Sequence, residues 1–290
     1  YVYPNVAEFN RESRGGLQER WDCARSLEIK CEYNEVPAHF IRGMNEIETT
    51  GLPSGSFLTN AAIAELYGNT SYEAKYILHS EFRSGSYLQW NKPDWVKKMV
   101  EMLISISNYF NVPPMAVEIH PGGSMVRSKI SYDHLIEGSR KILQGYEKLF
   151  SHQPLILLEN RTKQFISTGE DLAHFWENAS DVGKDIIEQL GIVLDIQQLF
   201  TSLSGDKELF LKHFGKIPDE AIKGVHIHSR INNKDHQTPS LDDPIPWENV
   251  FSRLKNLPQF LIINPEVHHH KDVSKTIEFC EDMFEKFLSN

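Results

Sequence analysis

Leu155-Ile156-Leu157-Leu158-Glu159-Asn160 sets four aliphatic residues directly before a carboxylate and an amide. A run that is apolar at every position, rather than at alternate ones, fits a strand covered on both faces, as in a parallel sheet. An ionised carboxylate leaving such a strand costs several kcal/mol unless it is paired or bound to a cation. The pattern recurs on both sides of this segment. Tyr76-Ile77-Leu78 runs into His79, Met115 to Ile119 into His120, Ile192-Val193-Leu194 into Asp195, and Val225-His226-Ile227 into His228. A last apolar run, residues 260–263, stands just ahead of Glu266.

Stretches of helical period separate these runs. In residues 95–110, Val96, Met99, Val100, Leu103, Ile106 and Phe110 share one face; in residues 273–288, Val273, Ile277, Cys280, Met283, Phe284 and Phe287 do the same. Further helices fit residues 132–150, 171–190, 206–214 and 247–254, several opened by Ser, Thr or Asp at a capping position. Ahead of Tyr76, residues 18–27 read as helix, 29–36 as strand and 43–60 as a Gly/Ser/Thr/Asn-rich loop, with a first strand placed within residues 1–9. The sum is a (β/α)8 TIM barrel of one domain spanning residues 1–290, in which the C-terminal edges of all strands meet at one mouth.

Composition narrows the function classes. Among 290 residues, 40% hydrophobic and 24% charged is a globular balance, and no apolar run approaches the roughly 20 residues of a membrane span. A net charge of −10 disfavours general nucleic-acid binding while allowing a grip on one short stretch of DNA. Cys23, Cys31 and Cys280 have no CxxC spacing and read as reduced core thiols. The expectation is a cytoplasmic protein with no membrane partner, a monomer or small homo-oligomer. No signal peptide is read, and the missing initiator Met points to a native chain beginning upstream of Tyr1.

His79, His120, Glu159, Asp195, His228 and Glu266 are the candidate metal ligands, since side chains of this kind delivered to one mouth suit a hard-to-borderline divalent cation. A histidine ending a strand is more often a hydrogen-bonded structural residue, so the argument rests on the coincidence of all six. His226 lies two residues before His228 and faces the same side; it reads as a supporting or packing histidine beside the ligand. His268, His269 and His270 read as a solvated turn.

The order His79-Ser80, His120-Pro121-Gly122, Leu158-Glu159-Asn160, Leu194-Asp195, His226-Ile227-His228 and Pro265-Glu266 resembles the xylose-isomerase-like barrel superfamily, and within it the endonuclease IV branch (AP endonuclease family 2) more than the sugar isomerases. The resemblance implies one zinc on His79, His120 and Glu159, and a second on Glu159, Asp195, His228 and Glu266. At the family's third metal this chain departs. Asp195-Ile196-Gln197-Gln198 has a glutamine where a ligand histidine stands, Lys234-Asp235-His236 has a lysine in place of the first aspartate, and residues 239–246 replace a Gly-rich segment. Gln198, Asp235 and His236 are candidates for a shifted third site.

The expected cofactor is thus one to two divalent ions, zinc by resemblance, with manganese and iron(II) suited to the same donors. The expected activity is phosphoester hydrolysis, with Glu159 bridging, Glu266 also in the catalytic set, and Arg230 or Lys234 offsetting phosphate charge. One alternative is a single-metal sugar isomerase or epimerase on Glu159, Asp195, His228 and Glu266, whose two glutamates move a proton beside a carbonyl while Arg230 serves as the arginine after the seventh strand. Another is a non-catalytic barrel in which Trp90, Trp95 and Trp247 stack on a ligand. Partners follow: a small phosphorylated or sugar substrate, or a local stretch of DNA.

Overall fold

The computed structural model describes residues 1–4, 6, 22–38, 75–80, 90–122, 128–232 and 234–288. The loop read at 43–60 and the first part of the helix read at 18–27 lie outside the described residues; positions 22–26 are helical. The strands are β1 (Val2–Tyr3), β2 (Tyr33–Pro37), β3 (Lys75–Ser80), β4 (Ala116–Ile119), β5 (Leu155–Glu159), β6 (Leu190–Asp195), β7 (Ile222–His226), a hairpin of β8 (Ser229–Ile231) and β9 (Lys234–Gln237), and β10 (Ile262–Asn264). β1 to β7 and then β10 pair side by side, all in parallel, and β1 lies beside β10. The result is a (β/α)8 barrel.

Helices α1 (Pro93–Phe110), α2 (Lys129–Phe150), α3 (Gly169–Val182), α4 (Ile196–Ser202), α5 (Lys207–Phe214), α6 (Trp247–Leu254) and α7 (His270–Leu288) complete the described elements. Local chemistry sets their ends: Ser128 caps α2, Thr168 and Asp171 form a capping box on α3, and Asp206 caps α5. No helix among the described residues is long and apolar enough to cross a membrane.

Three readings of element bounds need correction. The strand read at 29–36 is Tyr33–Pro37. The helix read at 171–190 stops at Val182, because Gly183 closes it and a 3-10 turn at Ile187–Gln189 feeds β6. The strand read at 260–263 is Ile262–Asn264, with Phe260 left 70% exposed. Helix α4 and the β8–β9 hairpin escaped the sequence reading. Asp195 ends a strand and caps a helix in one residue, so nothing polar separates the two periods.

Barrel parity places the site. Val2, Ile77, Ala116, Leu157, Val193 and Ile262, from six strands, pack together with Tyr33 as an apolar floor inside the barrel. Gly224 lies level with Val193 and Ile262, where an added Cβ would come within 3.2 Å of Val193. Side chains two residues on share the inward face, and those positions are Glu35, His79, Glu118, Glu159, Asp195, His226 and Asn264. A polar layer therefore sits directly on the floor.

Trp90, Trp95 and Trp247, considered above as ligand-stacking residues, are each at most 2% exposed. Trp90 packs edge-on against Trp95 and donates its indole N–H to the His120 carbonyl at 3.0 Å. It also fills the space beside Gly138, where a Cβ would fall 2.5 Å from the indole ring. Gly138→Ala is expected to displace Trp90 and to cost about 1–3 kcal/mol by overpacking, measurable by chemical unfolding.

Candidate metal centre

Three donor atoms from three adjacent strands converge at the first part of the centre. His79 Nε2 lies 3.1 Å from His120 Nε2 and 3.2 Å from Glu159 Oε2, and His120 Nε2 lies 2.8 Å from the same oxygen. Tetrahedral ligation at the roughly 2.0–2.1 Å typical of zinc separates ligand atoms by about 3.3 Å, so this triangle has the size of one face of such a polyhedron. All three residues are at most 1% exposed.

The protonation pattern follows from the packing. Burial opposes charge on His79, but hydrogen bonds to Glu159 and Glu35 hold its pKa well above the ordinary value. Burial lowers that of His120 despite the nearby Glu159 carboxylate. Glu159 is the reverse case: burial would raise it, yet Arg161 and His120 hold it well below the carboxylate range. A proton on His79 thus supplies the positive charge that the triangle demands.

A second set lies across the barrel. Glu159, Asp195 and His226 bring one donor atom each into mutual reach, and so do His228, His236 and Glu266. His228 Nε2 is 3.4 Å from Asp195 Oδ2 and 3.3 Å from Glu266 Oε2, and its pKa is pushed up to about 10, because Asp195 and Glu266 outweigh burial. His226 is also held well above its ordinary value by Glu266 and Glu118 against burial. Glu266 is held well below its own, with burial outweighed by His226 and His236.

The unsatisfied atoms decide whether a metal fits. His226 Nδ1 and Glu266 Oε2 are buried without a well-formed hydrogen bond although only 3.2 Å apart. Buried polar atoms left in this state are costly, and these two face Glu159, Asp195 and His228, a donor set that suits a divalent cation able to take their lone pairs.

The remaining sequence candidates have definite places. Gln198 turns its carboxamide oxygen to the Thr162 N–H at 3.1 Å, and its own N–H caps onto Asp195 Oδ1 at 2.8 Å. Asp235 pairs with Arg230 Nε at 3.3 Å within the β8–β9 hairpin. His236, at a positive φ of 57°, hydrogen-bonds the Glu266 carbonyl at 3.0 Å and has its ring stacked between His228 and His268. Of the three histidines read as a solvated turn, His268 and His269 keep exposed surface in a bend, while His270 opens α7 and bonds the Tyr3 hydroxyl; partial burial together with His236 lowers the His268 pKa to about 4.

The sequence reading missed five residues of the centre: Glu35, Glu118, Asn160, Arg161 and Asn264. Glu35 accepts from His79 Nδ1 at 3.0 Å and from Asn264 Nδ2 at 2.8 Å, so it fixes the tautomer that turns Nε2 inward. Glu118 meets His226 Nε2 at 3.2 Å and thereby aims His226 Nδ1 at the carboxylates. Asn160 clamps Asp195 through both its N–H and its carbonyl, at 3.0 Å each. Arg161, rather than Arg230, reaches Glu159, at 3.0 Å. Parity carried the signal for Glu118, two residues before His120. Glu35→Ala is expected to weaken zinc binding about 10–100-fold in calorimetric titration, as loss of a carboxylate behind a ligand histidine does.

Comparison with known proteins agrees with the fold. The model of the xylose isomerase-like TIM barrel family matches residues 82–283. A D-tagatose 3-epimerase-like protein superposes with a TM-score of 0.62 at 18% identity, over 99% of this chain and 98% of that one. A xylose isomerase domain protein from Alicyclobacillus acidocaldarius subsp. acidocaldarius gives 0.56 at 17%, over 98% and 99%. The structure named SacUVDE gives 0.53 at 12%, over 98% and 97%. No curated protein matches the sequence.

Proposed function

The chain belongs to the xylose isomerase-like TIM barrel family, and from that premise we propose that it is a metal-dependent phosphoester hydrolase of the endonuclease IV-like kind. The observation that carries this reading is the triangle of His79, His120 and Glu159 beside a second donor set that shares Glu159. A one-metal isomerase needs only the second set as ligands and has less need of two buried histidines converging on Oε2 of the shared glutamate.

Zinc, manganese or iron(II) would be held by His79, His120 and Glu159 at one position and by Glu159, Asp195, Glu266 and either His226 or His228 at the other. Bound there, divalent cations lower the pKa of a water and offset charge on a phosphoryl group. The chain's own residues do the rest. Glu35 and Glu118 hold two imidazoles in orientation, Asn160 fixes the Asp195 backbone, and the apolar floor closes the barrel beneath them. Glu266, 15% exposed at the rim, is placed to exchange a proton with substrate or solvent.

A sugar isomerase or epimerase is the second reading. Glu159 and Glu266, which both face His226 Nδ1 at 3.9 and 3.2 Å, favour it, as does the superposition on a D-tagatose 3-epimerase-like protein. The two readings part on one pair of assays. Metal-restored protein is expected to hydrolyse an activated phosphodiester such as bis(4-nitrophenyl) phosphate, with loss on chelation and a fall of about 10³-fold in His120→Ala. Solvent deuterium entering a ketose, with no phosphodiester cleaved, would overturn hydrolysis in favour of isomerisation.

A further inference from the structure

Glu159 is divided between two neighbours. Its Oε2 faces His120 and His79, while Oε1 accepts from the Arg161 guanidinium at 3.0 Å and lies 3.9 Å from His226 Nδ1. The hydrolase reading asks both oxygens to serve cations, yet the oxygen on the Asp195–His226 side is already held by a permanent positive charge. A divalent ion and a guanidinium sharing one oxygen repel each other strongly in a pocket that excludes water. Departure of the guanidinium would therefore strengthen binding of an ion at that oxygen.

The geometry favours movement of the arginine. Arg161 is 20% exposed while Glu159 is fully buried, so the guanidinium reaches the carboxylate from the solvent side. Its backbone is pinned, with its N–H on the Ile166 carbonyl and its carbonyl accepting from Gln164 N–H. A swing of the side chain would leave these backbone bonds in place. A guanidinium presents a planar fork that matches a phosphoryl group through two parallel hydrogen bonds, and a neutral polyol offers no charge to draw it away.

We propose that Arg161 is a cationic place-holder for the second metal ion and the receptor for a phosphoryl oxyanion. It keeps Glu159 Oε1 until an oxyanion at the mouth takes its guanidinium, and the second ion loads only then. The inference rests on the two-cation reading above and names the substrate class of that site: an anionic phosphoester rather than a free sugar.

Manganese(II) titration of the metal-stripped full chain tests it, with bound metal counted by equilibrium dialysis and its coupling read by electron paramagnetic resonance. Wild-type protein is expected to hold one equivalent, with the six-line signal of an isolated ion. Millimolar inorganic phosphate should add a second equivalent and replace that signal with an exchange-coupled one, whereas sorbitol should not. Arg161→Gln should take both equivalents without phosphate. Arg161→Lys keeps the charge but not the fork, so it should retain the one-equivalent resting state and need about tenfold more phosphate. Equal uptake of both ions by the wild type with and without phosphate would overturn the proposal, as would a phosphate requirement in Arg161→Gln like that of the wild type. A wild type and an Arg161→Gln variant that never take more than one equivalent, with or without phosphate, overturn the two-cation reading itself, whereas two equivalents taken up regardless of phosphate leave that reading standing and overturn only the role of Arg161.

Discussion

Glu159→Ala is expected to empty both metal positions at once and to reduce phosphoester turnover by at least about 10³-fold. His79, His120 and Arg161 all contact this carboxylate, His226 Nδ1 lies 3.9 Å from it, and it belongs to two of the donor sets. Removing it also strands buried positive charge, so the metal-free variant should lose about 3 kcal/mol of stability or more. Glu159→Gln preserves the shape and separates the two effects: metal content should still collapse, with a smaller loss of stability. Metal content by mass spectrometry and unfolding in denaturant give both numbers. If Glu159→Ala keeps one tightly held ion and wild-type turnover, the shared role is wrong.

The second large effect is on pH. In the metal-free protein His79 and His226 are held well above their ordinary pKa and His228 at about 10, so at neutral pH these imidazoles carry the protons that a cation must displace. Each displaced proton makes the apparent metal affinity rise tenfold per pH unit. Between pH 6 and 8 the affinity for zinc should therefore rise about 100-fold for every proton released, which calorimetry in buffers of different ionisation enthalpy will count. A slope of zero would mean that the histidines are not the ligands.

The same shifts set the stability of the metal-free chain. A histidine whose pKa is raised on folding stabilises fully below about pH 6.5, and that contribution is lost as pH climbs through the folded value, about 10 for His228. Glu159 and Glu266, held well below the ordinary carboxylate value, act the other way: their contribution is present above about pH 4.5 and is lost on further acidification. Chelator-treated protein should accordingly have its highest melting temperature from these groups between about pH 4.5 and 6.5. Added metal should extend that plateau to higher pH.

Much of this centre is legible residue by residue. His79, His120, Glu159 and Asp195 stand at the ends of apolar runs, and the structure brings their donor atoms together in two sets through Glu159. Glu35 escaped because its strand, Tyr33-Asn34-Glu35-Val36-Pro37, has no continuous apolar run to mark it. Asn264 escaped because its strand was read two residues too early. Gln198, a candidate for a shifted third site by resemblance, hydrogen-bonds Thr162.

The order of apolar runs, the helical periods between them and the kind of side chain at each strand end determined the barrel and the chemistry of its mouth. They could do so because periodicity and strand polarity are local properties, written into neighbouring residues. Only the tertiary structure decided which atoms meet: that Arg161 holds Glu159 while Arg230 pairs with Asp235, that His226 as well as His228 faces the carboxylates, and that Glu35 and Glu118 orient the imidazoles. Those contacts join residues up to 108 positions apart, and their distances depend on stagger between strands and on barrel closure, which no single segment encodes.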